Sequence, residues 1–346
     1  FPRISFWIEN TDSPTFVQLR NLSSFLKIPI GFLFLENPPN VNAFEIEFRT
    51  INNIIKRRPS NNLEDTIFEM QAKKDWMSEY RRSNGYERLR FVSNNTNFFQ
   101  DDFETIYNLL KVHKEWFLDF NTPDEAFSYL RDRLEAIGVI VMLSGIVGEN
   151  THRVLDINEF RAFTLADNYA PLIFVNRNDS KKAMIFSLIH EFFHLLYKGD
   201  SILVSESLTN STGTEQLIND YTSRFLIPES YIRNHWDENL PEATNIQKFS
   251  NDLKVSGLAV AIRLHDIGFI DQETVSIVKS QMLEIIAKRR KGGGDYYLTK
   301  SSRISTSFAN AVIYQAESGM LHFTDAYRLL GVRGKTYDSF KESIHK

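Results

Sequence analysis

Five residues constrain this chain more than any other feature: His190-Glu191-Phe192-Phe193-His194. They follow the apolar run Ala183-Met184-Ile185-Phe186-Ser187-Leu188-Ile189 and are continued by Leu195 and Leu196. Side chains four apart meet on one face of an α-helix. A helix from about Lys181 to Tyr197 therefore brings both imidazoles to one point. The apolar flanks require that helix to be buried. Two histidines and a glutamate in a buried helix are costly unless something satisfies them, and a metal ion does so. Glu191 projects to the side of that point. There it can accept a proton from an attacking water and hand it to a leaving amine. Zinc brings the pKa of such a water to about 7. The pattern is thus that of a zinc hydrolase, with His190 and His194 as metal ligands and Glu191 as general base.

A third ligand is needed, and the chain has no cysteine, so it must come from histidine or a carboxylate. Glu215 is the best placed, at the start of the next expected helix, with Asn219 four residues later. Leu217, Ile218, Tyr221, Phe225 and Leu226 give that helix an inward face. A carboxylate at that position is equally expected as a simple partner of the helix dipole, and Glu206 is the next choice. The expected metal is Zn2+, with another divalent ion such as Mn2+ as the alternative. His113, His152, His235, His265, His322 and His345 are isolated in sequence and read as surface or locally satisfied histidines. Arg161 and Tyr169 read as structural. No residue is assigned to the oxyanion; Tyr197 and His265 stay outside the site.

The bulk properties set wide limits. The 346 residues suggest two or three compact units. With 42% hydrophobic and 24% charged residues, the composition is that of a globular protein. The net charge of -4 excludes a global attraction to nucleic acid. No run of eighteen apolar residues and no signal peptide is visible, so no membrane association is expected. A chain without cysteine suits a reducing compartment, and the cytoplasm is the expected location. The sequence begins at Phe1 rather than Met, so further residues are expected upstream.

Along the chain, residues 1–40 read as short helices. Ser13-Pro14-Thr15 starts one, and Phe16, Leu19, Leu22, Phe25 and Leu26 follow its period. Pro29 ends it, Ile30–Leu35 is a second apolar segment, and Pro38-Pro39 closes the unit. Residues 44–138 read as helical throughout, punctuated by Asn-rich stretches at 60–62 and 94–97. Strands are expected at 139–143, 160–165 and 171–176, where β-branched and aromatic residues cluster. The buried helix and a second one, from about Glu215 to Leu226, follow. Residues 242–290 and 303–340 return to helices. Lys288-Arg289-Arg290-Lys291 before Gly292-Gly293-Gly294 reads as a solvated helix end and a linker. The fold class is therefore α+β and mostly helical.

The segments Glu159–Phe163, Ala170–Asn176, His190–His194 and Glu215–Pro228 together resemble the ImmA/IrrE family of metallopeptidases. In that family a strand and a Pro-bearing strand ending in Asn precede the HExxH helix. A helix with Glu, Asn, an aromatic residue and Leu-x-Pro follows, here Glu215, Asn219, Tyr221, Leu226 and Pro228. The resemblance implies a small zincin-like sheet-and-helix core and Glu215 as third zinc ligand. It departs at Ala162, where Gly is common, and at Thr222, where Ala is usual. Phe6–Glu9, Ser13–Leu19 and Pro29–Leu35 resemble the distal part of a Cro/repressor-type helix-turn-helix found in a longer subgroup. Lys254–Leu264 and Gly293–Leu330 resemble that subgroup's later regions. The expected organisation is a truncated helix-turn-helix unit at 1–40, a helical linker at 41–137, the peptidase core at 138–240 and a helical region at 241–346. The resemblance implies an endopeptidase acting on a protein substrate, a transcriptional regulator such as a repressor, with DNA bound through the full-length N-terminal domain. The alternative is a DNA-binding regulator whose peptidase-like domain is a sensor, or a toxin–antitoxin or prophage control component. The oligomeric state is left open.

Overall fold

A computed structural model describes residues 3–9, 11–26, 33–34, 59–92, 103–198, 211–288 and 301–344. The chain divides into two compact units, Phe1–Glu45 and Ile46–Lys346. The first contains α1 (Ile4–Ile8) and α2 (Phe16–Leu26). Thr15 starts α2: its hydroxyl accepts from the Gln18 amide at 3.3 Å, while the Gln18 side chain accepts from the Thr15 amide at 2.8 Å. Leu22 is buried, but Phe16 and Phe25 are exposed, so the apolar stripe of α2 is only partly covered. Of the expected segment Ile30–Leu35, all but residues 33–34 lies outside the described residues, as do both prolines that close the unit.

The second unit is built on a three-stranded sheet. Its strands are β1 (Ile140–Ser144), β4 (Ala162–Leu165) and β5 (Leu172–Asn176), in the order β1-β5-β4. β1 runs parallel to β5, with Ile140 opposite Leu172; β4 runs antiparallel to β5, with Ala162 opposite Val175. β2 (Ile146–Val147) and β3 (Asn150–Val154) form a separate hairpin. Every residue of β4 and β5 is buried, as expected for strands covered on both faces.

Successive side chains alternate between two cores. Val141, Leu143, Ala162, Ile173 and Val175 face one layer. That layer holds α5 (Pro123–Ala136), α6 (Lys181–Lys198) and α7 (Ser211–Leu226), through residues such as Leu130, Leu188, Phe192 and Phe225. The same core extends over α4 (Phe103–Leu110), α8 (Glu229–His235), α9 (Glu242–Asp252), α10 (Gly257–Asp266) and the start of α11 (Gln272–Lys288). Ile140, Met142, Phe163, Leu165, Leu172 and Phe174 face the other layer. It is made of α3 (Asn61–Ser83), α12 (Thr306–Glu317), α13 (Phe323–Leu330) and α14 (Tyr337–Ile344), with Ile67, Met70, Phe308, Val312 and Phe340. The architecture is α+β and mostly helical, and the sheet's second face is covered by segments far from it in sequence. No helix among the described residues is long and apolar enough to cross a membrane.

The expected strands and helices near the site are present, with shifts. The strand expected at 160–165 begins at Ala162, and Phe160 is buried beside it. The β2–β3 hairpin was not expected: most of Asn150–Val154 is exposed, so it has no apolar alternation to mark it. α7 begins at Ser211, four residues before the expected start, which puts Glu215 inside the helix. The region 44–138 is not one helical run. Among its described residues α3 stops near Gly85, at φ 76°, and Lys111 adopts φ 53° after α4. Two short 3-10 turns, Arg90–Val92 and Trp116–Asp119, separate the helices. The Asn-rich stretch at 94–97 and the 289–294 basic and glycine segment lie outside the described residues.

Candidate metal centre

The turn between β5 and α6 sets the position of the motif helix. Ser180 caps α6, its hydroxyl accepting from the Ala183 amide at 3.2 Å. Asp179 accepts from the Ser180 amide and pairs with the buried Arg161 at 3.1 Å, which ties the cap to the start of β4. The Asn178 side chain donates to the carbonyls of Gly145 and Leu155, both at 2.8 Å. Asn176 reaches the Phe160 carbonyl at 3.2 Å. The rotation of α6 is set by the motif's two phenylalanines. Phe192 meets Phe91 edge-on, and Phe193 packs against Phe103, Tyr221 and Phe225. Phe225 also stacks on Tyr107, so α7 is held against α6.

This packing brings His190, His194 and Glu215 together. The two Nε2 atoms are 3.0 Å apart. Glu215 Oε2 lies 3.4 Å from His190 Nε2, and Oε1 lies 3.1 Å from His194 Nε2. His190 and His194 are 1% and 7% exposed, while Glu215 is half-buried. Burial opposes ionisation of Glu215. Hydrogen bonds and charge from His190 and His194 outweigh it and hold the carboxyl below its usual range.

These three residues fit a metal. Two neutral imidazole lone pairs and a carboxylate aimed at one another repel unless a proton or a cation lies among them. Tetrahedral zinc with bonds of roughly 2.0–2.1 Å places its ligand atoms about 3.3 Å apart. The observed separations of 3.0, 3.1 and 3.4 Å are of that size.

Glu191 is buried in the same cluster. Ligand atoms of His190, Glu191 and His194 all lie within 4.8 Å of one another. Proximity alone would allow Glu191 as a ligand. Its Oε2, however, accepts a hydrogen bond from Thr164 Oγ1 on β4 at 2.8 Å, whereas Glu215 lies directly against both imidazoles. Thr164 was missed in the sequence; a threonine inside a strand carries no signal beyond its β preference.

The other residues considered lie in local interactions. His113 contacts Asp119, His235 stacks on Tyr231 and reaches its carbonyl, and His265 contacts Asp266. Arg161 pairs with Asp179, and Arg82 and Arg88 flank the Tyr169 ring. Thr222, at the departure noted in α7, is buried with its hydroxyl bonded to the Ile218 carbonyl at 2.7 Å. Ala162 is fully buried against the α6 layer. Glu206 and His345 lie outside the described residues.

Residues 135–265 match the peptidase M78 family model, an IrrE N-terminal-like domain. That span covers β1 to α10 and contains the whole cluster. The match supports a metallopeptidase of the ImmA/IrrE type. It implies a divalent metal and a protein substrate. Residues 304–343 match a second family model, a domain of unknown function (DUF8813), and coincide with the α12–α14 layer behind the sheet. No curated protein and no solved structure matches the chain.

Proposed function

We propose that this protein is a zinc-dependent endopeptidase in which His190, His194 and Glu215 hold the metal and Glu191 is the general base. The observation that carries this reading is the convergence of three ligand atoms from α6 and α7, with a second carboxylate, Glu191, beside them. Zinc is favoured over manganese by two imidazoles and one carboxylate in a compact triangle. A bound zinc ion supplies Lewis acidity, polarising the scissile carbonyl and lowering the pKa of the attacking water to about 7.

Glu191 takes the proton of that water as its oxygen bonds to the carbonyl carbon. It then delivers the proton to the amide nitrogen as the carbon–nitrogen bond breaks. The low accessibility of His190 and Glu191 strengthens electrostatic interactions at the reacting atoms.

The substrate is a transcriptional regulator, and DNA is bound by a helix-turn-helix unit to which α1 and α2 belong. Support for both comes from the resemblance of residues 1–40 and of the peptidase segment to the longer ImmA/IrrE subgroup. The test is a comparison of new protein N-termini in cells producing the wild type or Glu191→Gln. The reading predicts defined cleavage sites that appear only with the wild type. Identical N-terminal profiles would sink it.

A further inference from the structure

Thr164 occupies an unusual position on its strand. Its neighbours Phe163 and Leu165 face the α3 side of the sheet, so Thr164 faces α6. The other residues on that face, Ala162, Ile173, Val175 and Val141, are all apolar. A hydroxyl there, 3% exposed, is costly unless it is bonded. Its two acceptors both belong to Glu191: the carboxylate Oε2 at 2.8 Å and the backbone carbonyl at 3.3 Å. The hydroxyl has one proton to give, and the shorter, charge-assisted contact is the stronger.

We infer that Thr164 is a positioning residue for Glu191. The inference rests on the reading of Glu191 as the base. A glutamate's last torsion is broad and two-fold, so its carboxylate plane is not fixed by rotamer preference. Thr164 supplies what the helix cannot. Its side chain is β-branched and stiff, and its strand is paired to β5 with Thr164 opposite Ile173. By holding Oε2 from the sheet side, it fixes the plane of the carboxylate and therefore the direction of Oε1 relative to His190 and His194. The sheet thus reaches the reacting atoms through one hydroxyl.

The test separates positioning from packing and from cleavage. Thr164→Val keeps the shape and removes the hydroxyl, Thr164→Ser keeps the hydroxyl, and Thr164→Ala is a second hydroxyl-less variant of a size already present at Ala162. Each zinc-loaded variant is titrated with acetohydroxamic acid, which chelates zinc and donates a hydrogen bond to a neighbouring carboxylate. Zinc content and melting temperature are measured in parallel. The expected result is about tenfold weaker hydroxamate binding in Thr164→Val and Thr164→Ala, recovery in Thr164→Ser, and bound zinc throughout. In a Glu191→Gln background the same substitutions should change nothing further. Wild-type hydroxamate affinity in Thr164→Val and Thr164→Ala overturns the inference, and so does a Thr164→Ser variant as weak as they are. Loss of zinc in the hydroxyl-less variants also overturns it, since the residue then supports the metal site as a whole. A wild type that binds hydroxamate with this dependence but cleaves no protein defeats the peptidase reading and leaves the Thr164–Glu191 coupling standing.

Discussion

Burial governs the ionisation of one phenol in the helical layer beside the candidate metal centre. The Tyr107 phenol packs on Phe225 behind α7. Burial, with a smaller push from the Glu104 charge, raises it to about 12, against about 10 in an unfolded chain. A raised folded value leaves stability untouched below pH ~10 and erodes it between pH ~10 and 12, because the unfolded chain ionises first. Tyr107→Phe should therefore flatten the loss of melting temperature across that window. A wild-type alkaline profile in the variant would show that the phenol does not behave this way. At the same scale, His190, Glu191 and His194 were legible because helical spacing and an apolar setting are local facts. Glu215 was legible as the first candidate, ahead of Glu206, from its place at the start of the next helix, and the resemblance favoured a ligand there over a plain helix-dipole carboxylate. Thr164 was not legible, because its significance depends on which strand faces which helix.

At the scale of elements, α6 is held by the turn that precedes it. A β-carbon on Gly145 would lie 2.2 Å from the Asn178 side-chain oxygen, too close for any small adjustment. Gly145→Ala must displace Asn178 and break its bonds to the Gly145 and Leu155 carbonyls. With buried polar groups left unpaired, the expected cost is on the order of 1–3 kcal/mol, read as a drop in denaturation midpoint. A variant as stable as the wild type would show that the turn does not depend on this contact. The strands β1 and β5 were readable from their near-continuous apolar runs. The β2–β3 hairpin was not, since its residues are mostly exposed and polar. The early start of α7 at Ser211 escaped notice because Thr212-Gly213-Thr214 reads locally as a helix boundary.

At the scale of the molecule, the sheet has two covered faces. The α6 side carries the candidate metal centre, and the other side is closed by α3 and α12–α14. Sequence periodicity found those helices but gave no reason to place them on the sheet, because such contacts join residues far apart along the chain. The consequence is that residues 135–265, the span of the peptidase match, should not fold alone. Removing the cover exposes Phe163, Phe174 and their neighbours, each buried side chain contributing about 1.5–3 kcal/mol. The excised segment is expected to aggregate or melt without cooperativity in circular dichroism; a sharp transition like that of the whole chain would contradict the two-faced core.

The central claim is that Glu215 binds the metal and Glu191 does not. Calorimetric titration of metal-free protein with zinc tests it most directly. The account predicts one site per chain, equal affinity in the wild type and Glu191→Gln, and at least tenfold weaker binding in His194→Ala and Glu215→Gln. If Glu191→Gln weakens zinc as much as His194→Ala while Glu215→Gln leaves it unchanged, the two carboxylates have been assigned the wrong way round.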